Sequence, residues 1–208
     1  MQGRLGITLL ACALLLAAFV TAVGRLTAGF EHWTFEGLRR QAAANGEMHF
    51  PAMELIDSSG RPLRFQAGGN GQVMLVDFIY TSCESVCQSL GVELFQAQQQ
   101  IQQDASGVRL LSVSVDPLRD TPPALTAYGK RHRADERLWT LAAPGTADDG
   151  QQARRKLGVI AVADGSGGFA HNGALHVVDR SGRLAGIFDT TEWQRALALA
   201  KQLDEARP

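Results

Sequence analysis

The polarity pattern opens on an unbroken apolar run. Leu5 to Val23 holds 19 consecutive residues without a charge, bracketed by Arg4 and Arg25, about the length that crosses a hydrocarbon core as a helix. The run predicts a transmembrane anchor over 1–24. A cleavable signal peptide is the competing reading, since small residues stand at Val20, Thr21 and Ala22, but the run is long for a signal core. Cys12, inside it, reads as a small packing residue. From 25 to 47 the chain is polar and mixed, a tether, and the folded body is expected over 48–208.

Within the body, residues 49–65 alternate loosely around a Ser58 to Gly60 turn, a short hairpin. Gln72 to Tyr80 is nearly continuous in apolar β-formers, as in a strand buried on both faces of a parallel sheet. Ser85 to Gln103 spaces Val86, Leu90, Leu94, Ala97 and Ile101 at three and four residues, which predicts a helix with one stripe on the sheet. Val108 to Asp116 is a second buried strand, Thr121 to Arg133 a helix opened by two prolines, 138–143 a short strand, and 148–158 a polar helix closed by a glycine. Two strands around Arg180, Ser181 and Gly182 make a hairpin, and Glu192 to Arg207 a closing helix. The order predicts an α/β fold: a thioredoxin-like mixed sheet flanked by helices, behind an N-terminal transmembrane helix.

Charge then removes one class of function. Twenty basic residues stand against 21 acidic ones, so no basic face exists to neutralise many phosphates, and no nucleic-acid partner is expected. Arg4 precedes the apolar run while Arg25, Arg39 and Arg40 follow it, so charge alone does not orient the span. No Arg- and Ser-rich transit segment precedes it, which favours a single-pass protein of the bacterial inner membrane with its soluble domain in the periplasm.

Two of the three cysteines, Cys83 and Cys87, lie four residues apart, at the end of the strongest strand and the start of its helix. That spacing puts both on one helix face, and a helix N-terminus favours thiolate, which is both nucleophile and metal ligand. A structural disulfide closing so small a ring would add only about 2 kcal/mol. Two thiolates need a further ligand, and the candidates are His32, His49, His132, His171 and His176. His171 follows the Gly-rich run Asp164 to Phe169 and is placed on a loop able to swing towards a neighbouring site; His176 reads as packed inside a strand, and His132 as a solvated helix end. Met48, His49 and Met53 read as core filling around a hairpin. Two thiolates and one imidazole form a soft set suited to a copper ion, Cu(I) rather than Cu(II); zinc, the runner-up, lacks a clear fourth ligand.

The stretches VDFIYTSCESVC, SVSVDPLRDTPPAL and HNGALHVVDRSGRL resemble, in order and spacing, motifs of the Sco/SenC family of copper chaperones, and cover the body from about Gln72 to Gly186. The resemblance implies a membrane-anchored thioredoxin-like Sco domain that binds copper through Cys83, Cys87 and His171. It implies delivery to, or preparation of, the binuclear copper site of cytochrome c oxidase subunit II, with a copper donor chaperone and a thiol reductant as further partners and the lipid bilayer holding the N-terminal helix. Asp116 and Asp120, in the second motif, are supporting residues near the site. Gln88 and Glu84 stand where the family often has proline, and His176 where it often has an aromatic residue. The alternative function is a thiol-disulfide oxidoreductase, with Cys83 and Cys87 as catalytic pair, that keeps the oxidase copper-site cysteines reduced. Only His171 separates the two readings. A peroxidase and a purely structural domain fit the paired cysteines less well.

Overall fold

The computed structural model describes residues 2–27, 29–30, 33–66, 70–82, 86–165 and 168–206, with the side chains of 2, 3, 5 and 86–89 outside that description. The chain divides into two compact units, 1–41 and 42–208.

The first unit carries helix α1 (Gln2–Leu26), whose Leu9, Leu10, Leu14, Leu15, Leu16 and Phe19 are all exposed. Helix α2 (Phe35–Ala44) begins in it, inside the stretch expected to be a plain tether. Glu36 accepts from Arg39 and Arg40 one turn on, an i to i+3 and i+4 pattern that favours a helix in a polar segment.

The second unit is built on β1 (Met53–Asp57), β2 (Pro62–Phe65), β3 (Met74–Ile79), β4 (Arg109–Ser114), β5 (Trp139–Pro144), β8 (Leu175–Val178) and β9 (Leu184–Phe188). They form one sheet in the order β2-β1-β5-β4-β3-β8-β9, with β3, β4 and β5 parallel and the outer pairs antiparallel. Between β5 and β8, β6 (Ala161–Ala163) and β7 (Phe169–His171) pair separately as an antiparallel ribbon. All six residues of β3 are buried, because both its faces and both its edges are covered.

Strand parity divides the core. Met74, Val76 and Phe78 pack with Leu111, Val113 and Ala142 under Ala153 and Leu157 of α5 (Ala147–Leu157). Val73, Leu75 and Ile79 pack on the other face, with Leu110 and Trp139, under α3 (Val86–Gln103), α4 (Pro122–Arg131) and α6 (Trp193–Glu205). Of the stripe expected on α3, Leu90, Leu94, Ala97 and Ile101 are all buried, and the side chain of Val86 lies outside the described residues. Gly91 brings α3 against the end of α4, since a Cβ there would lie 2.2 Å from His132 Nδ1. His132 is therefore not solvated as expected but buried, its ring 4.4 Å from that of Tyr128. The hairpin turn is closed by Asp57, whose Oδ1 accepts from Ser59 and Arg61 backbone N–H at 2.9 and 2.8 Å, and Gly60 supplies the positive φ of +79°.

Candidate metal and thiol site

β3 ends at Ile79, and Tyr80 and Thr81 lead the chain towards the cysteines. Cys83 lies outside the described residues; Cys87 is in the first turn of α3, with its side chain outside the description. His32 also lies outside.

The approach to Cys83 is anchored by Asp120. Its buried carboxylate accepts from Thr81 N–H at 3.1 Å, from Thr81 Oγ1 at 2.6 Å and from Ser114 Oγ at 2.5 Å. Two residues before Cys83, the chain is thus tied to the loop after β4. Asp120 N–H in turn donates to Asp116 O at 2.9 Å, Asp116 N–H donates to Ser114 Oγ at 2.9 Å, and the Asp116 carboxylate pairs with Arg119. Arg154 of α5 closes this loop from the other side, donating to Val115 O at 2.6 Å. Of the two carboxylates of the second motif, Asp120 thus fastens Thr81 directly and Asp116 stands one bond further out.

His171 is the last residue of β7 and pairs with Ala161, so it sits on a strand and not on the swinging loop expected from the Gly-rich run. The ribbon is short, but its ends are tied. Asp164 N–H donates to Gly168 O at 3.0 Å and Gly168 N–H to Asp164 Oδ1 at 2.9 Å. Asn172 Oδ1 accepts from Ile160 N–H at 2.7 Å, and Asn172 Nδ2 donates to Gly158 O at 3.1 Å. The His171 ring stands edge-on to Tyr80 with centroids 6.1 Å apart, and Phe169 packs on the same Tyr80 at 5.6 Å, itself covered by the Arg119 guanidinium at 5.7 Å. Tyr80 is three residues before Cys83, so the ribbon brings His171 to the end of the strand that leads to the cysteines.

Burial holds His171 below the usual imidazole range, which keeps the ring neutral at neutral pH, the form that binds metal. Among the described residues no three His, Cys, Asp or Glu side chains gather as a metal-holding group, so a site here draws on the cysteine pair. The other histidines are elsewhere. His176 is fully buried in β8, Nδ1 3.3 Å from Val76 O and its ring against Phe78. His49 forms an isolated bridge with Arg183, and Met53 is in the core.

Sequence reasoning passed over Asp77. It lies in the middle of β3, opposite Ser112, fully buried, and among the described residues neither carboxylate oxygen has a hydrogen bond of normal geometry. Burial raises its pKa from 3.8 to about 7, partly offset by the neighbouring Ser112 hydroxyl. A lone acid in the apolar run MLVDFI was the available signal.

The fold and this arrangement define a thioredoxin-like domain whose histidine ribbon is set against the strand that runs into its cysteine pair. The chain belongs to the SCO1/SenC family, whose model matches residues 41–205. It is 23% identical over 124 residues to the SCO1 protein homolog of Bacillus subtilis (strain 168), covering 59% of this chain and 64% of that protein, a little under two thirds of its length. BsSco, described as carrying a disulfide switch and as a member of the Sco family of cytochrome c oxidase assembly proteins, superposes with a TM-score of 0.68 at 18% identity, covering 77% of this chain and 95% of BsSco. Bradyrhizobium japonicum ScoI with copper bound superposes at 0.61 and 24% identity, covering 75% and 99%.

Proposed function

We propose that this chain is a copper metallochaperone: Cys83, Cys87 and His171 hold Cu(I) and pass it by ligand exchange to the binuclear copper site of cytochrome c oxidase subunit II. One observation carries the reading. A partly buried imidazole, its pKa lowered by burial, is held by a tied ribbon beside Tyr80, at the end of the strand that leads to the cysteine pair. Two thiolates and that imidazole make a soft donor set for Cu(I). The copper is cargo, so the site must release it, and a histidine on a separate short ribbon can leave the metal without disturbing the main sheet. A donor chaperone loads the copper, a thiol reductant keeps the cysteines reduced, and helix α1 anchors the chain in the inner membrane with the body in the periplasm.

The test is a Cu(I) competition titration of the reduced full chain in detergent against an affinity-matched chelator. One-to-one binding is expected, lost in Cys83→Ala and Cys87→Ala, weakened in His171→Ala, and absent from the disulfide form, which offers no thiolate. Binding indifferent to all three substitutions would overturn the ligand set.

A second reading, thiol-disulfide exchange by the same cysteines, is favoured by one observation. A fully buried acid, Asp77, stands beside the Ser112 hydroxyl in the strand that leads to them.

A further inference from the structure

Helix α4 ends in a basic run, Lys130, Arg131, His132 and Arg133, that neither copper binding nor thiol exchange uses. Cations suit a helix C-terminus, where they meet the negative end of its dipole. Three features of this end go beyond that. Between α3 and the end of α4 lies a cavity of about 280 Å³, lined by Gly91, Val92, Phe95, Arg131, His132 and Arg133. His132, in its wall, is only 6% exposed, and among the described residues its Nε2 has no hydrogen-bond partner, an arrangement that costs stability. Arg133 has φ +55°, the left-handed conformation in which helices commonly end on glycine, as α5 does at Gly158 with φ +65°. A long branched cation in that conformation is strained.

The strained turn is held from the neighbouring helix. Gln98 of α3, itself buried, donates from Nε2 to Arg133 O at 3.0 Å, and its Oε1 accepts from Asp135 N–H at 2.7 Å. The turn is therefore clamped on both sides of Ala134. Within it the Arg133 guanidinium stands over the Phe95 ring, 5.7 Å from its centroid, so one cavity wall carries a cation. Val92, Arg131 and Arg133 are exposed and form the rim, while Gly91 and His132 are buried below. Among the described residues no carboxylate pairs with Lys130, Arg131 or Arg133; the nearest acid along the chain, Asp135, is bound to Arg137 at 2.8 Å.

We propose that this cavity binds a small carboxylate with an apolar body. The walls define that chemistry. Gly91, Val92 and Phe95 present carbon, which suits an apolar body. Arg131 and Arg133 present planar forks that match a carboxylate and have no acid of their own. His132 adds a buried ring nitrogen in want of a partner. A bare inorganic anion would set its hydration shell against the apolar wall, and an uncharged apolar molecule would leave both guanidiniums unpaired. The volume is just under the roughly 300–1,000 Å³ of pockets for drug-sized ligands, so the ligand is the size of one ring or a short chain. Such a ligand accounts for features that a plain helix end does not need: a strained arginine, the glutamine clamp that keeps it in place and the orphaned imidazole nitrogen. The site lies outside the metal ligand set, and its ligand binding does not rest on the copper reading.

The test uses the full chain in nanodiscs of uncharged phosphatidylcholine, with empty nanodiscs as the blank. Two probes of one shape, benzoate and its uncharged amide, benzamide, are titrated and read by ligand-observed saturation-transfer NMR. Benzoate is expected to bind saturably and at least about 10-fold tighter than benzamide, because charge-assisted pairs exceed neutral ones. The ring nitrogens of His132 are expected to shift in ¹⁵N spectra as benzoate is added. Arg131→Gln and Arg133→Gly are each expected to weaken benzoate at least about 10-fold. Glycine suits the backbone at 133, so Arg133→Gly is expected to keep its thermal midpoint within a few degrees, which separates lost binding from lost folding. No saturable binding above the blank, equal affinity for the two probes, affinity unchanged in both variants, or unmoved His132 nitrogens would each overturn the proposal. Inorganic phosphate that displaces benzoate at equal concentration would overturn the apolar body and leave a simple anion site.

Discussion

Asp120 and Asp77 are both buried carboxyls, and what surrounds each gives it a different character. Asp120 accepts from Thr81 N–H, Thr81 Oγ1 and Ser114 Oγ. Removing it orphans buried donors and frees the chain two residues before Cys83. Asp120→Ala is expected to cost about 2–4 kcal/mol in urea unfolding and to weaken Cu(I) binding in the same preparation. Asp77 is fully buried, and its raised pKa sets the sign of a pH effect. Between 3.8 and about 7 the folded protein keeps a proton that the unfolded chain has lost. The contribution is therefore present in full below the lower value and is lost as pH rises towards the upper one. Unfolding free energy of wild type minus Asp77→Asn is expected to fall across that window and level off above it, measured by urea titration at several pH values. His171, which burial lowers, behaves inversely: its neutral form in the fold costs stability as pH drops below the ordinary imidazole value. At this scale the second motif pointed to Asp120, whose carboxylate fastens Thr81 two residues before Cys83. No motif pointed to the place of His132, whose burial depends on the missing side chain of Gly91 forty-one positions away.

Among the elements, the long ones followed from periodicity because tertiary packing and local pattern agree. β3 and the stripe of α3 each present the residues that the opposing layer needs. The β6–β7 ribbon did not follow. Its strands have three residues each, Ala161–Ala163 and Phe169–His171, too few to show alternation, and they flank a Gly-rich run that reads as a loop. What makes it a ribbon is non-local, chiefly the Asn172 side chain bonded to Ile160 N–H and Gly158 O. That ribbon fixes where His171 stands, so the tie is expected to matter for the metal and little for the whole fold. Asn172→Ala should weaken Cu(I) binding towards the His171→Ala value, speed amide exchange at Ile160, and shift thermal unfolding by only a few degrees. Equal copper affinity with an unprotected Ile160 amide would show that His171 reaches the metal without the ribbon.

For the whole molecule, the open question is what α1 lies against. Its 25 residues rise about 37 Å at 1.5 Å each, more than the roughly 30 Å of a hydrocarbon core. Gly6–Leu26 is apolar enough to cross a membrane. Leu9, Leu10, Leu14, Leu15, Leu16 and Phe19 are exposed on successive faces, and a helix that is apolar all round gains nothing from water. An anchor and a signal peptide share this profile but leave different mature chains. The anchor reading expects a full-length chain that stays in the membrane pellet after alkaline carbonate washing and moves to the soluble fraction when 1–26 are deleted. A cleaved signal expects a chain about two dozen residues shorter, soluble without deletion, which intact-mass spectrometry separates at once. Orientation needs its own measurement, because basic residues lie on both sides of the run: Arg4 before it, Arg25, Arg39 and Arg40 after. Protease added to intact spheroplasts is expected to degrade the body while sparing cytoplasmic proteins. A protected body would place the cysteine pair in a reducing compartment, where neither delivery to a periplasmic copper site nor exchange with an oxidised partner could occur.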